Sequence, residues 1–597
     1  MRTSGRGFAA WGVPSLLILT MAGLAAVAGL YPGSRVRGAA PESPRVGAIT
    51  QVTHDGFGKT DLVAGDSQVY VSEMDAANRV IARVDFRGSN PQGSSRALLP
   101  EYSVPKSSEE QGSLTNLRAL GLSADHTKLL VSSRQASGEN AFWSVPIAGG
   151  TPERIGDLTG RDASWSADGG QLVFGKGPVL YLANAAGLKV HELYRASGSV
   201  FAPRFSPDGR AIRFTVRDAE QNTTALWEVS RDGSNAHALL GNWPSKSTAC
   251  CGSWTADGRY YIFQASQSVP NTTTVVTKLW AISNANDSEP VELTSGPMSF
   301  GNVSAGRDSK NLWAIGVQPW AEVVKYDQAR NEFVPVVPGL SASDLEFSAD
   351  GKWIAYISIP GGKLFRARAD GSEKLQLTSG SGLAALPRWS PDGKTIAYVS
   401  MKPGESWKLF LIPAKGGTPQ AVSAEGGSQI DANWSADGKR LIFGDYNHDA
   451  SGLSIRILDF KTHQTTTVPG SEGLFSPRWS PNGRYLAALA PDNTTLMLYD
   501  FKEQKWSKWA TSAGAVNYPL WAKDSESLYF DDLVDGAETI RQVKVGRMEA
   551  EKVMEVGSLD RYMGALGLWS GRAADGSWMF VRDKSTQEVY QLSLELP

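Results

Sequence analysis

Six histidines, two cysteines and a few acidic runs are the residues of this chain that could carry chemistry. No pair among His54, His126, His191, His237, His448 and His463 has the H-E-x-x-H spacing that sets two imidazoles on one helical face to hold zinc. The run Asp445-Tyr446-Asn447-His448-Asp449 starts like a calcium loop, but the sixth-position Gly is missing and Arg456 stands where a bidentate Glu is required. It reads as a solvated strand connection. Asp531, Asp532 and Asp535 form a second acidic group, expected in a loop. No G-x-S-x-G elbow and no Gly-rich phosphate fingerprint occurs, which argues against an α/β-hydrolase or a nucleotide-binding enzyme. The neighbours Cys250 and Cys251 leave two readings open: two small buried side chains at a strand end, or a vicinal bridge, strained and readily reduced, that serves as a redox or ligand-sensing pair.

What must position any such residue is a repeated phrase: Trp or Phe, Ser, Pro or Ala, Asp, Gly, then an alternating apolar strand. Clear copies are WSADGGQLVF, FSPDGRAIRF, WTADGRYYIF, FSADGKWIAY, WSPDGKTIAY, WSADGKRLIF and WSPNGRYLAA, with five worn copies besides. From Asp350 to Asp392, Asp437, Asn482, Asp524 and Asp575 the steps are 42, 45, 45, 42 and 51 residues, the period of propeller blades. Pro fixes φ, Asp or Asn bonds back to nearby N–H groups and Gly takes the φ > 0 position, so Asp168, Asp208, Asp257, Asp350, Asp392, Asp437 and Asn482 are expected to be structural turn residues rather than a ring of ligands. The Trp beside each turn (Trp165, Trp254, Trp389, Trp434, Trp479, Trp521 and Trp569) is expected to pack blade on blade.

Twelve units exceed the four to eight blades usual in one ring. The expected fold is therefore all-β: two tandem β-propellers of six four-stranded blades each, after one N-terminal hydrophobic helix. The expected division is 46–331 for the first propeller and 332–597 for the second. In the last unit, strands near 566–569, 578–581 and 588–592 leave no room for a fourth. The segment EFVPVV at 332–337 can supply it, and VGAITQVT at 46–53 can complete unit six. The rival arrangement lets 332–337 complete unit six in place.

The phrases AFWSVPIAGGTPERIGDLTGRDASWSADG, ACCGSWTADG and PGSEGLFSPRWSPNGRYLAAL resemble the TolB-type propeller repeats, and more closely the paired propellers behind CadC-type winged-helix membrane regulators. The resemblance covers about 46–597 and implies an extracytoplasmic propeller pair that binds or senses something. Only seven residues precede the apolar segment, so the winged helix of those regulators, and with it direct transcriptional control, is not expected here.

That segment, 8–31, is long enough to span a bilayer, and 1–31 also has the basic start and A-x-A site of a cleaved signal peptide. A membrane anchor is preferred, with a soluble periplasmic form starting at Gly29 as the alternative, and 32–45 as a flexible stalk. With 59 basic and 61 acidic residues the chain is no basic nucleic-acid binder. The function expected is a non-catalytic binding or sensory module with a protein partner, no cofactor and no metal. A propeller hydrolase or lyase, whose acids would converge from different blades without a local motif, is the remaining alternative.

Overall fold

The computed structural model describes residues 43–597, apart from 76–77, 88–89, 100–102, 105–111, 136–138, 286–288, 403, 423–426, 447–451, 535–536 and 558. The anchor or signal segment, and with it the expected N-terminal helix, lies outside the described residues. Among the described residues no helix is long and apolar enough to cross a membrane.

Among the described residues, twelve four-stranded antiparallel sheets make up the fold, beside one two-stranded ribbon. Blades 1 to 5 span 59–98, 118–159, 162–195, 199–238 and 249–292; blades 7 to 11 span 342–376, 383–421, 428–467, 475–511 and 515–555. Successive blades touch through their inner strands. Blade 6 returns to blade 1 and blade 12 to blade 7, which closes two rings of six. Because side chains alternate faces along each strand, both faces carry apolar groups and each blade buries one against its neighbour. Leu130 and Phe142 of blade 2, for instance, meet Leu172 and Phe174 of blade 3.

The repeated phrase is the hairpin between the first two strands. At Asp392 the carboxylate accepts from Ser390 Oγ at 2.6 Å and from the Lys394 N–H at 3.1 Å, and Gly393 takes φ 69°. The same pair of bonds recurs at Asp168, Asp208, Asp257, Asp350, Asp437 and Asn482. These bonds to the charged form hold the Asp392 carboxyl below its ordinary range, Ser390 contributing most. In the second ring three of the neighbouring Trp residues reach back one blade. The indole N–H groups of Trp389, Trp434 and Trp521 donate to the carbonyls of Glu346, Arg388 and Arg478 at 3.1, 3.1 and 2.8 Å. Trp479 departs from this, donating to Gly483 within its own turn.

Blades 6 and 12 are built by strand exchange. Blade 6 consists of Ser299–Ala305, Asn311–Gln318, the C-terminal Thr586–Glu595 and the N-terminal Arg45–Gln51. Blade 12 consists of Ser570–Arg572, Trp578–Asp583, Ala321–Asp327 and Glu332–Pro335. The outer strands are those expected from 46–53 and 332–337. The third strands differ: the segment 588–592, expected in the last unit, pairs with Asn311–Gln318 of the first ring, and 321–327, on the first-ring side of the expected 331/332 division, lies in the second. Turn chemistry gives the reason. A two-residue hairpin needs φ > 0 at its centre, and the linkers Pro319-Trp320 and Lys584-Ser585 offer no Gly, Asn or Asp. Both linkers cross instead, side by side, with the Lys584 N–H donating to Trp320 O at 2.8 Å.

Candidate functional site: two axial bores

Ten of the twelve inner strands are bulged, those of blades 3 and 12 being regular, and the bulges bring side chains onto the walls of the bores. In eight blades the residue six positions before the turn Asp or Asn is left-handed: Ala202, Cys251, Asn302, Asp344, Leu386, Asp431, Ser476 and Tyr518, with φ between 44° and 59°. The pairing register shifts at each. Pro203, Pro387, Pro477 and Pro519 stand next in line, where a bulge would otherwise leave an N–H unpaired. The residue after that, four before the turn, is Arg204, Glu346, Arg388 or Arg478 in the blades that carry charge there.

The first ring encloses a chamber of about 770 Å³. Five arginines, Arg79, Arg118, Arg134, Arg161 and Arg204, line it against two aspartates, Asp61 and Asp162. Both aspartates are engaged by one arginine: Arg118 Nη2 lies 2.7 Å from Asp61 and 3.1 Å from Asp162. Burial works against the Arg118 charge, but Asp162 and Asp61 more than restore it and its pKa rises. Arg161 stacks over the Phe201 ring at 4.2 Å. Among the described residues no carboxylate pairs with Arg79, Arg134 or Arg204. Arg204 donates only to the Pro203 carbonyl at 2.9 Å.

Cys250 and Cys251 are joined in a vicinal disulfide on the inner strand of blade 5, and Cys251 lines the chamber. Its N–H donates to Thr215 Oγ1 at 3.3 Å.

The second bore is different in kind. Its charges neutralise one another: Arg478 meets Asp431 at 2.8 Å, Ser476 Oγ donates to Asp431 at 2.6 Å, and Arg388 stands 3.7 Å from Asp431 and 3.8 Å from Glu346. Burial pushes Asp344 up to about 6 and Glu346 up to about 7, in each case with Arg388 opposing. Burial would raise Asp431 as well, but Arg478 and Arg388 hold it below its ordinary value. One end of this bore is covered by the chain itself. Tyr562, Ala565 and Leu566, in the long connection before blade 12, pack into the core, and Tyr518 Oη donates to Leu566 O at 3.1 Å. That connection accounts for the 51-residue step. A first-ring hairpin closes in beside it: Trp407 Nε1 donates to Asn271 O at 2.6 Å and the Thr273 N–H to Ala565 O at 3.0 Å.

The acidic runs fall elsewhere. Asp531 and Asp532 are not in a loop but buried in the strand Ser527–Val534 of blade 11. Only two residues separate the paired Val534 and Ala537, so the strand continues past both carboxylates, and Asp535 lies outside the described residues. Burial raises Asp531 to about 7 against the pull of Arg561. Asp445, on an inner-hairpin strand of blade 9, pairs with Arg456 at 3.2 Å, while Asn447, His448 and Asp449 lie outside the described residues. Among the described residues no group of three His, Cys, Asp or Glu could hold a metal.

These raised carboxyls fix a pH dependence. The folded state holds protons on Asp344, Glu346 and Asp531 that the unfolded chain, with pKa values near ~4, releases. Stability from these groups is therefore fullest below about pH 4 and is lost as pH rises towards about 7. The melting midpoint should fall between pH 5 and 8, and Asp344→Asn with Asp531→Asn should flatten that fall in a pH series of thermal melts. Asp431 acts in the opposite sense, its contribution being lost below about pH 4.

A double ring of four-stranded antiparallel blades defines a β-propeller protein. Residues 323–473 match the family model of the PD40 TolB beta propeller domain. Residues 323–473 therefore carry TolB-like β-propeller repeats. Among solved structures it is similar to a TolB-designated protein of Agrobacterium tumefaciens (18% identity, 45% of this chain and 98% of that one, TM-score 0.36). It is similar also to TolB from Acinetobacter baumannii (15%, 56% and 79%, 0.25) and to an oligogalacturonate lyase in complex with manganese (12%, 84% and 98%, 0.28). No curated protein sequence matches it.

Sequence reasoning missed the arginines of both bores. The signal was present for Arg204, Arg388 and Arg478, each four residues before a turn Asp or Asn. For Arg79 and Arg134, at the far ends of blade strands, no repeat position marks them.

Proposed function

We propose that the chain is a non-catalytic binding or sensory module, held outside the cytoplasm by the apolar segment 8–31, and that the first-ring chamber is where it receives a protein partner. The observation that carries this reading is the contrast between the bores. One holds three arginines, Arg79, Arg134 and Arg204, that meet no carboxylate among the described residues, whereas the other is covered at one end by its own chain and internally neutralised. Rigid rings with a polar mouth suit presentation of a fixed surface. The full chain should capture its partner from a membrane extract, and Arg79→Glu with Arg204→Glu should reduce capture at least tenfold while the melting curve holds. Equal capture by the variant would refute the seat. Fractionation and N-terminal sequencing separate a tethered chain from a soluble form starting at Gly29.

The vicinal bridge makes this seat responsive to thiols. A small dithiol reductant would exchange into the bridge, leaving two free thiols and a cyclic disulfide on the reductant. Cys251 then loses its tether, and partner capture should fall on reduction and in Cys250→Ser/Cys251→Ser. Unchanged capture in both would remove the redox role.

One observation favours a second reading, a propeller hydrolase or lyase. Asp344, Glu346 and Asp431 converge in the second bore, two of them with raised pKa values suited to a general acid. Turnover of a glycoside, lactone or polyuronate by the chain, abolished in Glu346→Gln, would replace the binding reading with this one.

A further inference from the structure

Resting on the reading of the first-ring chamber as the binding seat, we propose that what enters it is a compact polyanion, a group bearing at least two carboxylates or phosphates close together. The charge in the two bores is resolved by different means. In the second, excess negative charge is relieved by protonation, because carboxyls can take up protons near neutral pH. Arginine has no such route: its guanidinium stays charged at any physiological pH. The excess of arginine over aspartate in the first chamber has to be matched from outside the chain.

The geometry narrows the class. Asp61 and Asp162 are already occupied by Arg118, so Arg79, Arg134 and Arg204 are the groups left to meet a ligand. They come from three different blades, which a single-charge ion could not satisfy together. The planar guanidinium fork matches a carboxylate or phosphate edge with two parallel hydrogen bonds. Asn116, Asn140 and Asn302 add amides at the same wall. Asn302 is held in place, its Nδ2 donating to Thr60 O at 2.8 Å. Arg161 sits over the Phe201 ring and 3.8 Å from Asp162, so it too is already engaged. A chamber of about 770 Å³ lies within the range of small-ligand sites, roughly 300–1,000 Å³, and far exceeds the volume of one carboxylate.

Clustered anionic groups of this kind could belong to a small molecule or to an acidic stretch of the partner protein, and the test separates the two. The full chain in detergent is titrated calorimetrically with tripolyphosphate, with citrate and with a tetraglutamate peptide, each at two salt concentrations. The expected result is one-to-one binding of at least one probe, weakened by salt and weakened roughly tenfold to a hundredfold for each of Arg79→Ala and Arg204→Ala, the loss that follows removal of a charged hydrogen-bond partner. Arg204→Lys, which keeps the charge without the fork, should recover part of the loss. Lys394→Ala, on an exposed turn of the second ring, should bind like the unaltered chain. Preference for the peptide assigns the anion to the partner protein, and preference for tripolyphosphate or citrate assigns it to a free small molecule. Failure of all three probes to bind, or equal binding by the arginine variants with unaltered melting curves, overturns the polyanion. Loss of partner capture without any anion binding would leave the seat in place and sink only its ligand class, whereas anion binding with capture indifferent to Arg79 and Arg204 would sink the seat.

Discussion

A chain ending at Lys584 will not close its first ring. The lost residues include Thr586–Glu595, the third strand of blade 6, which pairs on one side with Asn311–Gln318 and on the other with Arg45–Gln51. Val589, Tyr590, Leu592 and Leu594 of that strand are buried. At about 1.5–3 kcal/mol for each side chain, their removal withdraws roughly 6–12 kcal/mol, as much as the whole stability of a typical domain. Tyr590 also lies over Gly316, where a Cβ would sit 2.5 Å from its ring, so truncation empties a closely packed place. The naked edge of Asn311–Gln318 would then be open to pairing with other chains. Limited proteolysis and size-exclusion chromatography should show a cleavable, aggregating first half. A monomeric truncated chain as resistant as the full one would contradict the exchange. The exchange further predicts one cooperative unfolding transition, because the third strand of blade 6 continues directly from blade 12 and that of blade 12 directly from blade 6.

Lys59→Met should cost about half as much. The ammonium is fully buried where blade 1 meets the exchanged strand, 3.2 Å from Glu588 and 3.8 Å from Glu73, with Asp55 in contact. Glu588 accepts from Thr53 Oγ1 and from the Gly56 N–H at 2.9 Å, and Arg96 meets Glu73 at 2.6 Å. Taking away the cation leaves three carboxylates around one remaining arginine. Breaking a buried pair in this way costs about 3–5 kcal/mol, chiefly through the charge left uncompensated. Denaturant melts check it, and Lys59→Met combined with Glu588→Gln should recover part of the loss. A single variant within 1 kcal/mol of the unaltered chain would show that this cluster does not latch the ring.

Twelve blades could be read from the sequence because one turn demands the same residues each time: a Ser or Thr to bridge, an Asp or Asn to accept, a Gly to turn. The outer strands of blades 6 and 12 were also legible, since each was the only unclaimed apolar run near a ring's start. The third strands were not. Their exchange depends on what Pro319-Trp320 and Lys584-Ser585 cannot do, and a missing turn signal is harder to see than a present one. The bores were half legible. Positions six and four before each turn Asp or Asn point to the axis, so Arg204, Arg388 and Arg478 could have been placed together. Which of them finds a carboxylate depends on the neighbouring blade: Asp431 pairs with Arg478 of the next blade, whereas Asp162, at the same repeat position one blade before Arg204, pairs with Arg118. The disulfide between Cys250 and Cys251 was one of two readings, and only coordinates show that Cys251 faces the chamber.

The most direct test of the binding seat is site-specific photo-crosslinking in membranes that carry the full chain. A photoreactive phenylalanine analogue is placed at Asn140, on the wall of the first chamber, or at Lys523, exposed at the second bore. The account predicts a crosslinked partner from Asn140, diminished by Arg79→Glu with Arg204→Glu, and none from Lys523. A partner captured from Lys523 and not from Asn140 would contradict it.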